Sequence, residues 1–281
     1  MDKRPNLVAK DPKPTSLSSA GDGRDSFLGP TMPKFEKTRK GNPHRLAIGQ
    51  HTFPSKSIAR FADSDGRVQI IHVQRAGLIR RAKPTDTIFC ARRAWDHGTE
   101  VGFMKKLEDR FQHLAELIID GRVLTFDREQ THVISSFYVL WMVRAEIRDQ
   151  PGEDAVLRGI LPGRGRPKDE EEKLEKAGLA FQRGITIPAR LMNGMRARVL
   201  VGRYLREVNA SASWGIVRAS GGEFVVPDWP MHAFIPINPT LALANPAINQ
   251  ALDRDAVGVV NKQLRLASRR YFFARDFAAC P

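Results

Sequence analysis

The residues of this 281-residue chain best suited to acid–base chemistry are His51 and Asp228. His51 lies in Gln50-His-Thr-Phe-Pro54 and Asp228 in Pro227-Asp-Trp-Pro230. An imidazole titrates near neutral pH and can take a proton as a general base, while a carboxylate can fix its tautomer. Both runs read as proline-framed loops, where functional groups collect. As a catalytic pair they would suit a hydrolase or a nuclease. The alternative makes His51 a hydrogen-bonding group in a packed turn and Asp228 a turn cap, with Asp228 the more exposed of the two. His72, His97, His113, His132 and His232 are scattered and form no His-x-x-x-His motif, so no metal site is expected. Cys90 precedes the paired Arg92 and Arg93, which could lower its pKa, but no Cys-His-Asn pattern accompanies it; it reads as a buried structural thiol. No Gly-x-x-x-x-Gly-Lys-Ser/Thr loop occurs, and no cofactor is expected.

A second chemistry is phosphate contact. Gly163-Arg-Gly-Arg-Pro-Lys168 resembles the core of an AT-hook. Gly165 leaves no side chain to strike a groove floor, and Arg164 and Arg166 could enter the narrow, negative minor groove of A·T tracts, with Lys168 adding charge. The acidic run Asp169-Glu-Glu-Glu172 follows where an AT-hook would carry more cations. Two helical rows add to the field: Arg196, Arg203 and Arg206 after Pro188, and Lys262, Arg265 and Arg269 near the C-terminus. Few carboxylates are placed to pair with either row. Tyr204 and Tyr271-Phe-Phe273 lie close by, and aromatics beside arginine can stack bases, although core packing is the expected role of Phe272 and Phe273.

Composition frames these candidates. There are 45 Lys and Arg against 31 Asp and Glu, a formal +14 with a pI near 10.2. That balance favours phosphate-bearing partners, DNA or RNA among them, or an anionic membrane surface. Hydrophobic residues make up 42%, enough for a core. Two cysteines exclude a disulfide scaffold. The most apolar stretch, Val133 to Ile147, is shorter than a bilayer span and contains Arg144 and Glu146. With no apolar stretch behind the polar N-terminus, the expectation is a cytoplasmic protein with reduced thiols and no membrane partner. Oligomeric state is not legible.

The elements that must position these residues read as an α+β fold: a helical pair and further helices packed with short antiparallel hairpins, in a single main domain. Residues 1–41, punctuated by prolines, read as a flexible basic arm ahead of a domain at 42–281. Strands are expected at Arg67–Val73 and Leu78–Arg81, joined as a hairpin. A helix N-capped by Thr99 ends near Gly121, and a second is capped by Asp127; a short connection predicts that they pack antiparallel. Residues 149–187 read as a charged insertion with a short helix opened by Asp169–Glu172. Pro188 begins a helix to about Val208. Ser220-Gly-Gly222 predicts a hairpin between 213–218 and 223–226. An extended segment at 232–237 and a last helix at 257–273 complete the reading.

Several of these residues carry a family resemblance. His51, Pro54, Ile58, Phe61 and Ala62 stand at the spacing that opens the bacterial domain-of-unknown-function 4238 family. Trp95, Glu100 and Glu108 are similar to its next motif, and Trp214, Asp228, Pro230, Pro236, Pro239, Asn261 and Tyr271–Phe273 to its later ones. Thr52 replaces a usual Tyr, and Pro227 and Trp229 replace a Ser and an Asn. The resemblance covers roughly residues 42–275 and implies an α+β domain of bacterial type, with no activity attached. Three functional classes therefore stand open: association with nucleic acid through phosphate contacts, which leads; a hydrolase or nuclease using His51 and Asp228; and an interaction protein without catalysis.

Overall fold

A computed structural model describes residues 35–281 except Ala76. Residues 1–34, most of the expected arm, lie outside the described residues. The elements run β1 (Gly49–His51), α1 (Ser55–Ala59), β2 (Val68–His72), β3 (Ile79–Ala82), β4 (Cys90–Arg92), a π-helical turn (Thr99–Met104), α2 (Lys105–Ile119) and α3 (Arg128–Asp149). They continue with β5 (Ala155–Val156), α4 (Lys168–Lys176), β6 (Thr186–Ile187), α5 (Ala189–Asn209), β7 (Gly215–Ala219), β8 (Val226–Pro227), β9 (Phe234–Asn238), β10 (Leu241–Ala244), β11 (Gln250–Leu252), α6 (Arg254–Ala267) and β12 (Tyr271–Ala274). This is one mixed α+β domain.

Its axis is α3. Asp127 and Gln130 form a capping box: the Asp127 carboxylate accepts from the Gln130 N–H at 2.8 Å, and the Gln130 side chain accepts from the Asp127 N–H at 3.1 Å. From Val133 to Arg148 nearly every side chain is buried, on all sides of the helix. A helix apolar all round belongs in a core, and that is where the most apolar stretch of the sequence goes. No helix among the described residues is long and apolar enough to cross a membrane.

Helix α2 packs antiparallel to α3, as expected. Glu108 meets Arg144, Phe111 stacks on Phe137 with ring centroids 3.6 Å apart, and Arg110 meets Glu129, so one chain ascends as the other descends. Helix α5 lies antiparallel on another side, with Arg196 at Glu146 and Asn209 at His132. Two four-stranded sheets complete the domain, ordered β3-β2-β12-β8 and β11-β7-β10-β9, with β11 parallel to β7. Phe53, Phe61, Phe89 and Phe273 interlock at the core between α3 and the first sheet, with Phe53 against Trp141 at 4.6 Å.

Four local expectations are corrected. Thr99 does not cap its helix; Asp96 does, its carboxylate accepting from the Thr99 N–H at 2.8 Å, and Thr99 is buried inside the π-helical turn. The Gly-rich run at 220–222 forms no hairpin. β7 pairs with β10 and β11, and β8 with β12. The glycines serve close approach instead: a Cβ on Gly221 would lie 2.7 Å from the Arg254 nitrogen, and Gly222 holds a φ of +151° against Pro281. The last helix starts earlier and stops at Ala267, where Ser268 turns extended. Tyr271–Phe273 then form the inner strand β12, because aromatic rings gain more against the core than on a helix end.

The fourth concerns the arm. Residues 35–41, assigned to it above, belong with the domain. The Glu36 carboxylate pairs with Lys168, Arg183 and Arg190, and the Arg39 N–H donates to Glu172 at 2.7 Å. Because Arg190 is buried, losing Glu36 leaves a poorly neutralised cation. A chain beginning at residue 42 is therefore expected to melt roughly 2–10 °C below one beginning at residue 35. Equal melting temperatures would show that the segment contributes nothing to the fold.

Candidate functional site

His51 and Asp228 are not hydrogen-bonded to each other. They belong to two polar clusters, each organised by one arginine of α3, one helical turn apart.

The first cluster gathers around Arg144. Strand β1 pairs with β4, setting His51 opposite Cys90. The His51 Nε2 lies 3.1 Å from the Pro84 carbonyl oxygen, so Nε2 carries the proton and Nδ1 keeps its lone pair. Burial holds the imidazole below its ordinary pKa, against the pull of the Pro84 carbonyl and of Glu100, so its neutral, basic form is favoured. The π-helical turn carries Glu100, whose carboxylate accepts from Trp95 Nε1 at 2.7 Å and lies 3.5 Å from Arg144. Glu108 accepts from the same guanidinium at 3.0 Å. Arg144 is buried, while both glutamates are partly open to solvent. π-Helical turns are rare and are found often at functional sites. Cys90 supplies no nucleophile: burial, with Glu100 and Asp86 nearby, pushes its thiol up to about 11, correcting the lowered value considered from the adjacent arginines.

The second cluster gathers around Arg148. Asp228 is buried, not the more exposed member of the pair. Its carboxylate accepts from Arg148 at 2.7 Å and from the backbone N–H groups of Arg269 and Arg270 at 2.8 and 3.3 Å. Burial opposes the Arg148 charge, yet Asp228 and Asp149 together hold its pKa above the ordinary arginine value. With every bond spent on neutralising Arg148 and closing the turn into β12, Asp228 is a structural carboxylate. Sequence reading passed over Arg144 and Arg148; the signal was two cations four residues apart at the end of the most apolar stretch.

The cations chosen for phosphate contact divide. In the AT-hook-like run, Arg164 is exposed and pairs with Glu170, Arg166 is half-buried and donates to the Gln182 carbonyl, and Lys168 pairs with Glu36. Gly163 is bridged to Gly184, so the run is built into the domain. The helical rows are better compensated than expected: Arg196 pairs with Glu146, Arg203 with Glu207, and Arg269 with Asp149, while Arg265 donates to the Cys280 carbonyl. Arg206 and Lys262 are exposed and, among the described residues, make no ion pair.

The two rows nonetheless meet. Arg196 donates to the Gln150 carbonyl at 3.1 Å and Arg269 reaches Asp149 at 3.3 Å, so both guanidinium groups settle on the last turn of α3, whose dipole attracts cations. Tyr204 donates to Glu146 there, and the Arg269 guanidinium sits 3.2 Å from the centroid of the half-buried Trp229 ring. Among the described residues, no group of three or more His, Cys, Asp or Glu is placed to hold a metal ion. No family model matches the chain, and neither a curated protein nor a solved structure matches it.

Asp228→Ala is expected to cost about 3–5 kcal/mol, because it leaves the buried Arg148 with Asp149 alone and two backbone N–H groups without their acceptor. His51→Ala is expected to cost less, about 1–3 kcal/mol. Denaturant melts rank the two, and the reverse order would show Arg148 to be neutralised elsewhere. The His51 ring is expected to titrate below 6.5 by NMR. Since its folded pKa is the lower one, its contribution is complete above about 6.5 and is lost as pH falls through the folded value.

Proposed function

We propose that this chain associates with nucleic acid, DNA or RNA, chiefly through phosphate contacts. What carries the reading is the meeting of the two arginine rows at the end of α3 beside Tyr204 and Trp229. Residues 35–281 hold 39 Lys and Arg against 27 Asp and Glu, so +12 of the +14 resides on the domain. The carboxylates at this surface do not cancel it. Arg196 and Arg269 are themselves solvent-accessible in their pairs with the half-buried Glu146 and Asp149, and pairs near the surface are worth only about 0–1 kcal/mol, so a phosphate can compete for either guanidinium. Arg203 and Arg206 extend the track along α5, and the two aromatic rings offer platforms for unpaired bases. A cytoplasmic setting accords with this reading.

Binding of a fluorescent oligonucleotide is expected to weaken steeply with salt, log K falling linearly with log salt. Arg203→Ala with Arg206→Ala should reduce that slope by about 1–2 and weaken binding to every sequence alike. Absence of binding at 50 mM salt, or a salt-independent affinity, would overturn the reading.

A second reading has one observation in its favour: His51 holds a free Nδ1 lone pair near Glu100. A hydrolase or nuclease would then use His51 with Glu100, not with Asp228. It predicts phosphodiester cleavage abolished by His51→Ala and by Glu100→Gln with unchanged melts. No turnover by the wild-type protein would dismiss it.

A further inference from the structure

Helix α4 docks without an apolar face. Its buried residues are Glu171, Glu172 and Glu175, three carboxylates on one side of a nine-residue helix. The groups that receive them come from four places. Arg93, after β4, donates to Glu175 at 2.6 Å, with both side chains fully buried. Arg190, in the first turn of α5, donates to the same carboxylate at 2.8 Å. Arg183, just before β6, donates to Glu171, and the Arg39 N–H to Glu172. Lys168 and Glu36 close the slot. The fit is incomplete: Arg93 Nε, Arg190 Nη2, one oxygen of Glu172 and one of Glu175 are buried with no hydrogen-bond partner among the described residues.

This arrangement is unusual in its energetics. Helices hold to domains by burying apolar area, and an isolated nine-residue helix is marginal in water. Here the attachment is electrostatic, and the Coulomb gain of a buried pair is largely spent on desolvating both ions. A competing anion that satisfies the same guanidinium groups can therefore replace α4 with little loss of hydrophobic burial, that of the half-buried Leu174. The slot and the surface described above are linked through one helix. Along α5, Arg190 lies in the slot, Asn193 bonds Pro151 and Ala94 at its edge, and Arg196 stands at the end of α3.

Resting on the nucleic-acid reading, we infer that the slot formed by Arg93, Arg183 and Arg190 is a second phosphate-binding site, and that α4 is its resident anionic occupant, displaced when a nucleic-acid strand follows the arginines of α5. Three glutamates stand in for backbone phosphates. Release of α4 also separates Lys168, its first residue, from Glu36, while Arg164 and Arg166 keep Glu170 beside them. The insertion thus limits affinity for short strands and adds contacts for strands long enough to reach it.

Hydrogen exchange on the wild-type protein tests this directly, with a 20-nucleotide single strand whose binding is followed by anisotropy in the same buffer. At saturation the amides of residues 168–176 are expected to exchange at least tenfold faster, while those of α3 are unchanged. Glu171→Gln, Glu172→Gln and Glu175→Gln together should bind the strand several-fold more tightly at fixed salt; if that variant does not fold, the wild-type exchange decides. Binding with unchanged or slower exchange in α4 would sink the displacement and leave the nucleic-acid reading standing. No binding at low salt would remove both.

Discussion

Arg144 and Arg148 enter the domain on the last two turns of a helix that is otherwise apolar, and much of the surrounding chain is arranged to neutralise them. A guanidinium cannot shed its proton in a protein, so each must be met by carboxylates where it lies. The π-helical turn and α2 bring Glu100 and Glu108 to Arg144. The chain leaving β8 brings Asp228 to Arg148, and that carboxylate also ties down two backbone N–H groups in the turn from α6 into β12. The strand that follows is the inner one of its sheet, and Phe273 on it joins the aromatic core. The Arg148–Asp228 pair thus anchors the C-terminal part of the chain to the central helix.

Each of the buried cations Arg93, Arg144, Arg148 and Arg190 is met by at least one carboxylate, which is how a chain of +14 tolerates arginines in its core. Arg93 and Arg190 are answered by Glu175, and Arg183 by Glu171 and Glu36. Buried charge is thus balanced locally. The surplus lies on outer faces such as those of Arg206 and Lys262. Self-repulsion there costs little in high dielectric, and the field remains available to an anionic partner.

How far the sequence reveals this depends on the range of the interaction. The capping box of α3, the acidic first turn of α4, Pro188 ahead of α5 and the 68–82 hairpin are local, and all are legible. The failures occur where a local signal has two uses. Gly221 and Gly222 suit a hairpin, but they are required for close passage beside Arg254 and Pro281. Tyr271–Phe273 could continue a helix, but their rings are needed between Phe53, Phe61 and Phe89. At the site, His51, Glu100 and Glu108 could be singled out by type, and Asp228 as well, but their grouping could not.

Sequence alone determined the inventory: an α+β set of elements, an apolar helix after Asp127, and a surplus of cations concentrated in 35–281. Tertiary structure alone decided which of those charges are spent. Asp228 lies 80 residues from Arg148, and Glu36 lies 154 from Arg190. No periodicity or spacing encodes such a pairing. Each exists because two elements distant in sequence bury a common face, and the low dielectric there makes an unpaired charge too costly to leave.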